Sequence, residues 1–316
     1  MNAPVLPSRV TSRRDFLRAA AVAGAMSQVR GQPAPANERG FIDAHAHVWT
    51  PDTQAYPRAA AFAGKKEVSP RSFTPEELMA HCRPEGVARV VLIQMSFYQY
   101  DNRYMLDAIA ARPSDFRGVA VVDETSPGVV ATMQHLAGQG VRGFRLYADK
   151  ARAETWGDSA GMKAMWTYAA DAGLAICPLA NPDALPAVQR MCARFPRTRV
   201  VLDHFARVGG SGVIVPDDLD RLCRLADFEH THVKVSAFYA LGAKQPPYTD
   251  LAPMIRRVRD AFGAARLMWA SDCPFQVEAG RTYRDSIVLV RDRIDFLTAE
   301  ERTWLLRRTA EKLFFS

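Results

Sequence analysis

The 316-residue chain lacks several features that identify common classes of protein. No apolar run reaches the eighteen or so residues that a helix needs to cross a bilayer, which excludes an ordinary transmembrane protein. The five cysteines are odd in number and form no CxxC pair, so we expect neither a disulfide scaffold nor a thiolate zinc site. No P-loop sequence occurs. The one GxGxxG sequence, Gly138–Gly143, leads into an apolar run instead of following one, so it does not have the context of a phosphate-binding loop in nucleotide-binding folds.

The positive charge of the chain is concentrated at its N-terminus. The net charge is +7, but residues 1–36 contain five arginines and one acid, so removing them lowers the charge by four, to +3. The remaining residues mix acidic and basic side chains throughout, whereas a nucleic-acid-binding face requires clustered Lys and Arg. We therefore expect no nucleic-acid partner.

Residues 1–36 have the pattern of an export signal. They contain a twin arginine followed by Phe-Leu, a short apolar run and a small-residue cleavage site: Arg13-Arg14-Asp15-Phe16-Leu17, Ala19–Met26 and Ala34-Pro35-Ala36. The segment resembles a bacterial twin-arginine signal peptide with its linker. This resemblance implies the twin-arginine export machinery as a partner, a periplasmic location and a mature domain at residues 37–316. The alternative is a disordered basic tail or a frayed amphipathic helix.

From residue 41 onward, short apolar or β-branched runs alternate with segments of helical periodicity. The runs predict eight strands: Phe41–His45, Arg89–Met95, Gly118–Val122, Gly143–Tyr147, Leu174–Leu179, Arg199–His204, His232–Ser236 and Arg266–Ser271. About 280 residues with eight βα units match a single-domain α/β fold, the (β/α)8 TIM barrel. A doubly wound sheet would normally carry a Gly-rich loop after its first strand, and here that strand ends in His-Ala-His.

Polar side chains cluster where the predicted strands end. Because residues i and i+2 of a strand face the same side, His45 and His47 both point to the barrel mouth. Barrel closure places Asp272, after the eighth strand, beside them, and the sixth strand ends at His204. Three imidazoles and a carboxylate can bind a divalent metal, or polarise a carbonyl while the carboxylate activates water.

Five segments carry a resemblance to a known family: Phe41-Ile42-Asp43-Ala44-His45-Ala46-His47, Gly140-Val141-Arg142-Gly143-Phe144-Arg145, Val201-Leu202-Asp203-His204-Phe205-Ala206-Arg207, Leu267-Met268-Trp269-Ala270-Ser271-Asp272-Cys273-Pro274-Phe275 and Thr309-Ala310-Glu311-Lys312-Leu313-Phe314. They resemble the amidohydrolase superfamily, and within it the lactonase-like branch that includes 2-pyrone-4,6-dicarboxylate lactonase and L-fuconolactonase. The resemblance implies a TIM-barrel hydrolase with His45, His47, His204 and Asp272 as its catalytic residues.

The ends of two strands depart from the metal-dependent members of this superfamily. Those members commonly place a His at the end of the fifth strand or a carboxylated Lys at the end of the fourth. Here the fifth strand ends in Ile176-Cys177-Pro178-Leu179 and the fourth in Arg145-Leu146-Tyr147. The pattern resembles the pyrone-dicarboxylate type, which implies hydrolysis without a bound metal, so we expect no cofactor. The alternative is a single divalent metal, zinc, held by His45, His47 and Asp272.

Other side chains on the same rim indicate the charge of the substrate. Arg145 ends the fourth strand and Arg207 follows His204, and planar guanidinium groups bind carboxylates in bidentate fashion. A small anionic substrate is therefore expected. Tyr147 and Ser236 also lie at strand ends, where a hydroxyl could contact a ring substituent; packing alone is the alternative for both.

The predicted reaction is hydrolysis of a lactone, the cyclic ester of a small carboxylated or sugar-acid substrate. Asp272 takes a proton from water and directs it at the carbonyl, the histidines stabilise the charge on oxygen, and the two arginines hold the substrate's carboxylate. Two other classes stay open. They are a zinc-dependent non-oxidative decarboxylase of the same superfamily and a non-catalytic periplasmic binding protein.

Two further features are not predicted to be catalytic. A second HxH sequence, His230-Thr231-His232, stands at the start of the seventh predicted strand and so belongs to the opposite end of the barrel. Cys273 adjoins Asp272 in the sequence. A nucleophilic thiol needs a lowered pKa and a base, and we do not expect Cys273 to be the nucleophile.

Overall fold

The computed structural model describes residues 1, 40–62, 65 and 68–316. The predicted twin-arginine segment, residues 1–36, lies outside the described residues except for Met1. The export machinery, the periplasmic location and the cleavage site therefore stay predictions. The described residues from 40 to 316 form one unit. No helix in the described part of the chain is long and apolar enough to span a membrane.

Eight parallel strands follow one another in chain order around one sheet. They are β1 Phe41–Ala46, β2 Val87–Ile93, β3 Phe116–Ala120, β4 Val141–Ala148, β5 Ala175–Ala180, β6 Arg199–Leu202, β7 Thr231–Val235 and β8 Leu267–Trp269. The sheet closes because the amide of Asp272 donates to the carbonyl of His45 at 2.8 Å, and the amide of His47 donates to that of Cys273 at 2.8 Å. The predicted (β/α)8 TIM barrel is confirmed.

Helices alternate with these strands. Within the described residues they are α1 Pro75–Cys82, α2 Arg103–Ala111, α3 Val129–Gly138, α4 Lys150–Glu154, α5 Ala160–Ala172, α6 Leu185–Arg194, α7 Pro216–Arg224, α8 Ala252–Phe262, α9 Tyr283–Val288, α10 Ala299–Thr303 and α11 Thr309–Phe314. The first begins with a capping box in which Thr74 and Glu77 each accept the other's backbone N–H. The fifth ends at Gly173, whose left-handed conformation (φ 67°) suits a glycine.

The sixth strand is shorter than the sequence predicts. The expected strand ran to His204, but β6 ends at Leu202. From His204 to Arg207 four consecutive residues have φ between 51° and 58°, so the chain leaves the sheet in a left-handed turn. None of the four is a glycine, and the sequence therefore gives no warning of this turn.

Apolar side chains fill the interior of the barrel, and α11 covers the end at which the strands begin. Inward-facing residues of the strands form a cluster with side chains of α11: Ile42, Ala44, Val91, Ile93, Val119, Ala175, Cys177, Val201, Met268, Ala270, Ala310, Leu313 and Phe314. Next to this helix, Phe315 lies under the guanidinium groups of Arg89 and Arg117, near the starts of β2 and β3. The chain therefore covers the amino ends of the strands and leaves their carboxyl ends for a site.

Candidate active site

Two imidazoles meet at the carboxyl end of β1. His45 is completely buried within the strand, and His47 follows two residues later on the same side. Their Nε2 atoms are 3.3 Å apart. The Nδ1 of His47 donates to the carbonyl of Ile93 at 2.8 Å, so its Nε2 is the nitrogen that faces His45 and Asp272.

Asp272 places its carboxylate between these rings. It follows β8 in a left-handed conformation (φ 61°), and its Oδ1 lies 3.4 Å from the Nε2 of His45 and 3.3 Å from that of His47. Oδ1 is buried and has no hydrogen bond of good geometry within the described residues. Burial opposes ionisation, but the imidazoles of His204, His47 and His45 outweigh it and hold the pKa of Asp272 below its usual value. At neutral pH the group is therefore a carboxylate.

The left-handed turn after β6 presents the third imidazole. The Nε2 of His204 is 3.6 Å from Oδ2 of Asp272, and its Nδ1 forms a 2.8 Å hydrogen bond with Oγ of Ser236. Burial is the main cause that lowers the pKa of His204 to about 4. The ring is therefore neutral at physiological pH.

Beside His45 lies a cluster of buried charges. Asp203 accepts from Nη2 of Arg145 at 2.9 Å and from Nζ of Lys234 at 2.9 Å. The same two cations approach His45, Arg145 at 3.1 Å from Nε2 and Lys234 at 3.1 Å from Nδ1. Burial opposes the ionisation of Asp203, but Lys234 and Arg145 outweigh it and hold the pKa of Asp203 well below its usual value.

Burial, together with Lys234, keeps His45 neutral. Burial and the ammonium of Lys234 hold the pKa of His45 well below its usual value. A neutral imidazole has one lone pair and one N–H, so one ring nitrogen accepts from a cation and the other donates to Asp203 or Asp272. The formal charges of the cluster, two carboxylates and two cations, then sum to zero.

A cavity of about 450 Å³ opens at these residues. It is lined by His47, Met95, Ser96, Arg145, Tyr147, Leu179, His204, Arg207, Gly210, Ala237, Tyr239, Ala240, Leu241, Asp272 and Phe275. Arg207 is exposed on its wall and donates to the neutral amide of Asn181 at 3.1 Å. No carboxylate among the described residues pairs with Arg207, so its charge is available to a ligand.

The structure brings most of the predicted site residues to this cavity and places two behind its wall. His45 and Ser236 are fully buried and do not line the cavity. Ser236 was expected to contact a ring substituent, and that assignment needs correction because its hydroxyl is hydrogen-bonded to His204. Arg145 lines the cavity, but it is also bonded to Asp203 and so has a second role besides binding substrate.

Three residues of the site were missed by sequence reasoning. Tyr239 lines the cavity and donates its hydroxyl to Oδ2 of Asp272 at 2.7 Å. Lys234 and Asp203 form the buried charge cluster. Lys234 lies in the apolar run of a strand predicted to be buried on both faces. Because a buried ammonium needs a counter-charge, this lysine could have predicted a buried carboxylate beside it. Tyr239 lies in a short turn after β7, where no pattern marks it.

A comparison with family models identifies the chain. The model described as amidohydrolase matches residues 42–315, nearly the whole of the barrel. The chain belongs to the amidohydrolase family. It is a hydrolase on this ground, and the predicted resemblance is confirmed.

Similar proteins carry the names of hydrolases. The L-fucono-1,5-lactonase of Burkholderia ambifaria is 31% identical over 242 residues, 76% of this chain and 82% of that protein. The 2-pyrone-4,6-dicarboxylate hydrolase of Comamonas testosteroni is 28% identical over 74% of this chain and 77% of that protein. A solved structure from Acinetobacter baumannii, a probable 2-pyrone-4,6-dicarboxylic acid hydrolase with citric acid bound, is 26% identical. It superposes with a TM-score of 0.73 over 88% of this chain and 100% of that chain.

The residues of this amidohydrolase-family chain fit a metal ion poorly. Ligand atoms of His45, His204 and Asp272 lie within 4.8 Å of one another, and His47 stands beside them. However, the Nε2 of His45 is 3.1 Å from the guanidinium of Arg145, so a metal could take that lone pair only if Arg145 moved away. A divalent ion would also add two charges to a buried cluster that is already neutral.

The second HxH sequence and Cys273 do not take part in the cavity of this amidohydrolase-family barrel. His232 lies near the start of β7, and its Nδ1 donates to the carbonyl of His230 at 3.0 Å. Cys273 is fully buried, and burial raises the pKa of its thiol well above the usual value. A thiol of raised pKa is a poor nucleophile.

Buried His232 should make the stability of the protein depend on pH. Burial lowers the pKa of His232 to about 4, below the value of about 6.5 expected in the unfolded chain. Between these values the unfolded state binds more protons, so the free energy of unfolding should fall as pH drops from 6.5 to 4, by at most about 3 kcal/mol from this residue. Urea titrations at several pH values measure the fall.

The substitution His232→Gln should remove that part of the pH dependence, whatever it does to stability at pH 7. The same change at the exposed His135 serves as the control. Equal pH slopes for parent and His232→Gln would show that His232 is not the titrating group.

Proposed function

We propose that the chain hydrolyses a lactone that carries a carboxylate, with Asp272 as the general base and without a bound metal. The observation that carries the proposal is the state of Asp272. It is ionised, it lines a cavity of about 450 Å³, one oxygen accepts from Tyr239, and the other has no hydrogen bond of good geometry within the described residues. The names of two relatives, a lactonase and a pyrone-dicarboxylate hydrolase, support a cyclic ester as substrate.

In this proposal water attacks the lactone carbonyl. The oxygen of the water bonds to the carbonyl carbon while Asp272 takes one proton of the water. Tyr239 holds the carboxylate of Asp272 in place by donating to Oδ2. Negative charge develops on the carbonyl oxygen, where the cationic Arg145 and the ring of His204 face the cavity and can stabilise it. The ring C–O bond then breaks, Asp272 returns the proton to the leaving oxygen, and a hydroxy acid results.

The histidine behind the wall has a supporting part. His45 is buried between Arg145 and Lys234 and helps to hold the Arg145 side chain at the cavity wall. It also contacts the ring of His47, which lines the cavity. Since no step passes through a metal, the charge beside the carbonyl comes from the guanidinium. This arrangement supports a metal-free reaction over a zinc site made of His45, His47 and Asp272.

Arg207 supports an anionic substrate. It is exposed on the cavity wall, and among the described residues no carboxylate pairs with it. Arg145, by contrast, already has Asp203 as a counter-charge. The Acinetobacter baumannii protein with citric acid bound supports a carboxylate-bearing ligand in a barrel of this kind.

One assay tests the proposal directly. The protein is incubated with 2-pyrone-4,6-dicarboxylate and with L-fucono-1,5-lactone, and ring opening is followed by release of protons, with heat-denatured protein as the blank. We expect at least one lactone to open well above the blank. A protein that opens neither of them, nor any of a wider lactone panel, would lack the proposed activity.

Removal of metals should leave the activity. Because Arg145 and Lys234 already supply the positive charge beside Asp203 and Asp272, we expect enzyme dialysed against EDTA to keep most of its kcat for the lactone. Metal content is measured on the same samples. Complete loss on chelation with recovery on added zinc would instead assign the reaction to a zinc ion held by His45, His47 and Asp272.

Replacing Arg207 with methionine should weaken substrate binding. A charge-assisted contact with a carboxylate contributes about 1.5–3 kcal/mol, so KM should rise by roughly tenfold to a hundredfold with little change in kcat. A lactone without a carboxylate should be nearly indifferent to the change. Arg197→Met, at an exposed arginine paired with Asp171 away from the cavity, is the matched control. If KM rose equally for charged and uncharged lactones, the role of Arg207 would be structural instead of binding the carboxylate.

A further inference from the structure

A second cavity of about 290 Å³ adjoins the first. Three residues belong to the walls of both cavities: Ser96, Arg145 and Tyr147. The remaining wall of the second cavity includes Glu124 and Arg152, which do not line the first. A ligand that reacts at Asp272 therefore has a neighbouring space into which a substituent can extend.

The shared wall contains polar atoms that lack partners. The hydroxyl of Tyr147 and the Nε of Arg145 are buried, and neither makes a hydrogen bond of good geometry within the described part of the chain. Buried polar groups in folded proteins are nearly always hydrogen-bonded, so these two atoms at the shared wall are available to pair with a ligand. Both atoms are able to donate a hydrogen bond.

The charges of the second cavity are already balanced. Glu124 pairs with Arg152, and Arg145 pairs with Asp203. A charged substituent would find no free counter-charge there, in contrast to Arg207 on the wall of the first cavity. A hydroxyl group fits, because it can donate to the carboxylate of Glu124 and accept from Tyr147, Arg145 or Arg152.

We propose that the second cavity is a substrate subsite that binds the hydroxyl groups of a side chain attached to the lactone. This inference rests on the function proposed for the first cavity. The carboxylate of the substrate lies toward Arg207, and the hydroxylated chain passes Tyr147 and reaches Glu124 and Arg152. The substrate class is thus a polyhydroxylated acid lactone with an exocyclic chain, and a flat ring without such a chain would leave the subsite empty.

The test measures binding of two open-chain acids, D-galactonate and L-threonate, by calorimetry. Both carry the carboxylate that Arg207 binds, and galactonate has two more hydroxylated carbons. We expect the parent protein to bind galactonate at least about tenfold more tightly than threonate. In the charge-neutral double variant Glu124→Gln/Arg152→Gln, the preference should fall to within about threefold.

Two further variants make the result decisive. Glu154→Gln/Arg190→Gln removes an exposed ion pair of the same kind outside both cavities and should keep the parent's preference. Tyr147→Phe removes only the unpaired hydroxyl, and it should reduce the preference for galactonate even if the double variant fails to fold. No measurable binding of galactonate, equal binding of the two acids by the parent, or an unchanged preference in the folded variants would overturn the subsite. Because binding requires no turnover, failure of the subsite and failure of lactone hydrolysis give different results.

Discussion

Replacing Asp272 with asparagine should lower kcat by about 10²–10⁴-fold, the usual contribution of a general base. The amide keeps the shape of the side chain and can still accept from the hydroxyl of Tyr239, but it cannot take a proton from water. Because the imidazoles hold the pKa of Asp272 below its usual value, the parent's rate should fall with acid only below about pH 4. Steady-state rates of both proteins between pH 3 and 8 measure the two effects.

The matched control is Asp107→Asn. Asp107 also accepts a tyrosine hydroxyl, that of Tyr56 at 2.7 Å, but it is exposed and lies outside the cavity. This variant should keep the parent's kcat. If Asp272→Asn stayed within tenfold of the parent, another group would have to be the base.

Replacing Asp203 with asparagine should destabilise the protein by about 3–5 kcal/mol, the usual cost of breaking a buried ion pair from one side. The neutral amide would leave Arg145 and Lys234 buried without the carboxylate that lies 2.9 Å from each of them. The free energy of unfolding in urea at pH 7 measures the loss.

An exposed ion pair provides the comparison. Asp171 pairs with Arg197 at 2.7 Å with both side chains exposed, and Asp171→Asn should cost less than about 1 kcal/mol. Similar small losses for both variants would mean that water reaches the Asp203 cluster. The double variant Asp203→Asn/Lys234→Met, which removes one cation together with the carboxylate, should recover part of the stability.

The strand pattern was predictable because parallel barrel strands are buried on both faces and therefore form continuous apolar runs. All eight predicted strands exist, and the HxH sequence ends the first of them as expected. Closure of the sheet then fixes the neighbour of β1, which is why Asp272 could be placed beside His45 and His47 from the sequence. These steps depend only on strand order and on the two-residue period.

The rest of the site depends on contacts that strand order does not determine. His204 and Arg207 reach the cavity through a left-handed turn of non-glycine residues, which no local preference predicts. Ser236 lies behind His204. Its place at a strand end predicts the direction of its side chain but not whether the side chain reaches the cavity. Tyr239 donates to Asp272 from a turn 33 residues earlier in the chain, and only the folded backbone brings the two residues together.

The buried charge cluster also bears on how the chain folds. His45 and Asp203 are 158 residues apart, Arg145 and Asp203 are 58 apart, and His45 and Lys234 are 189 apart, on β1, β4 and β7 with Asp203 just past β6. Asp203 can pair with Lys234 within the last four strands. The charge of Arg145 is balanced only after β4 has assembled with the segment beyond β6, so a half-barrel of β1–β4 would bury an unpaired cation. A fragment that ends before β6 should therefore fail to fold, and contacts of such long sequence separation should make formation of the complete barrel slow and highly cooperative.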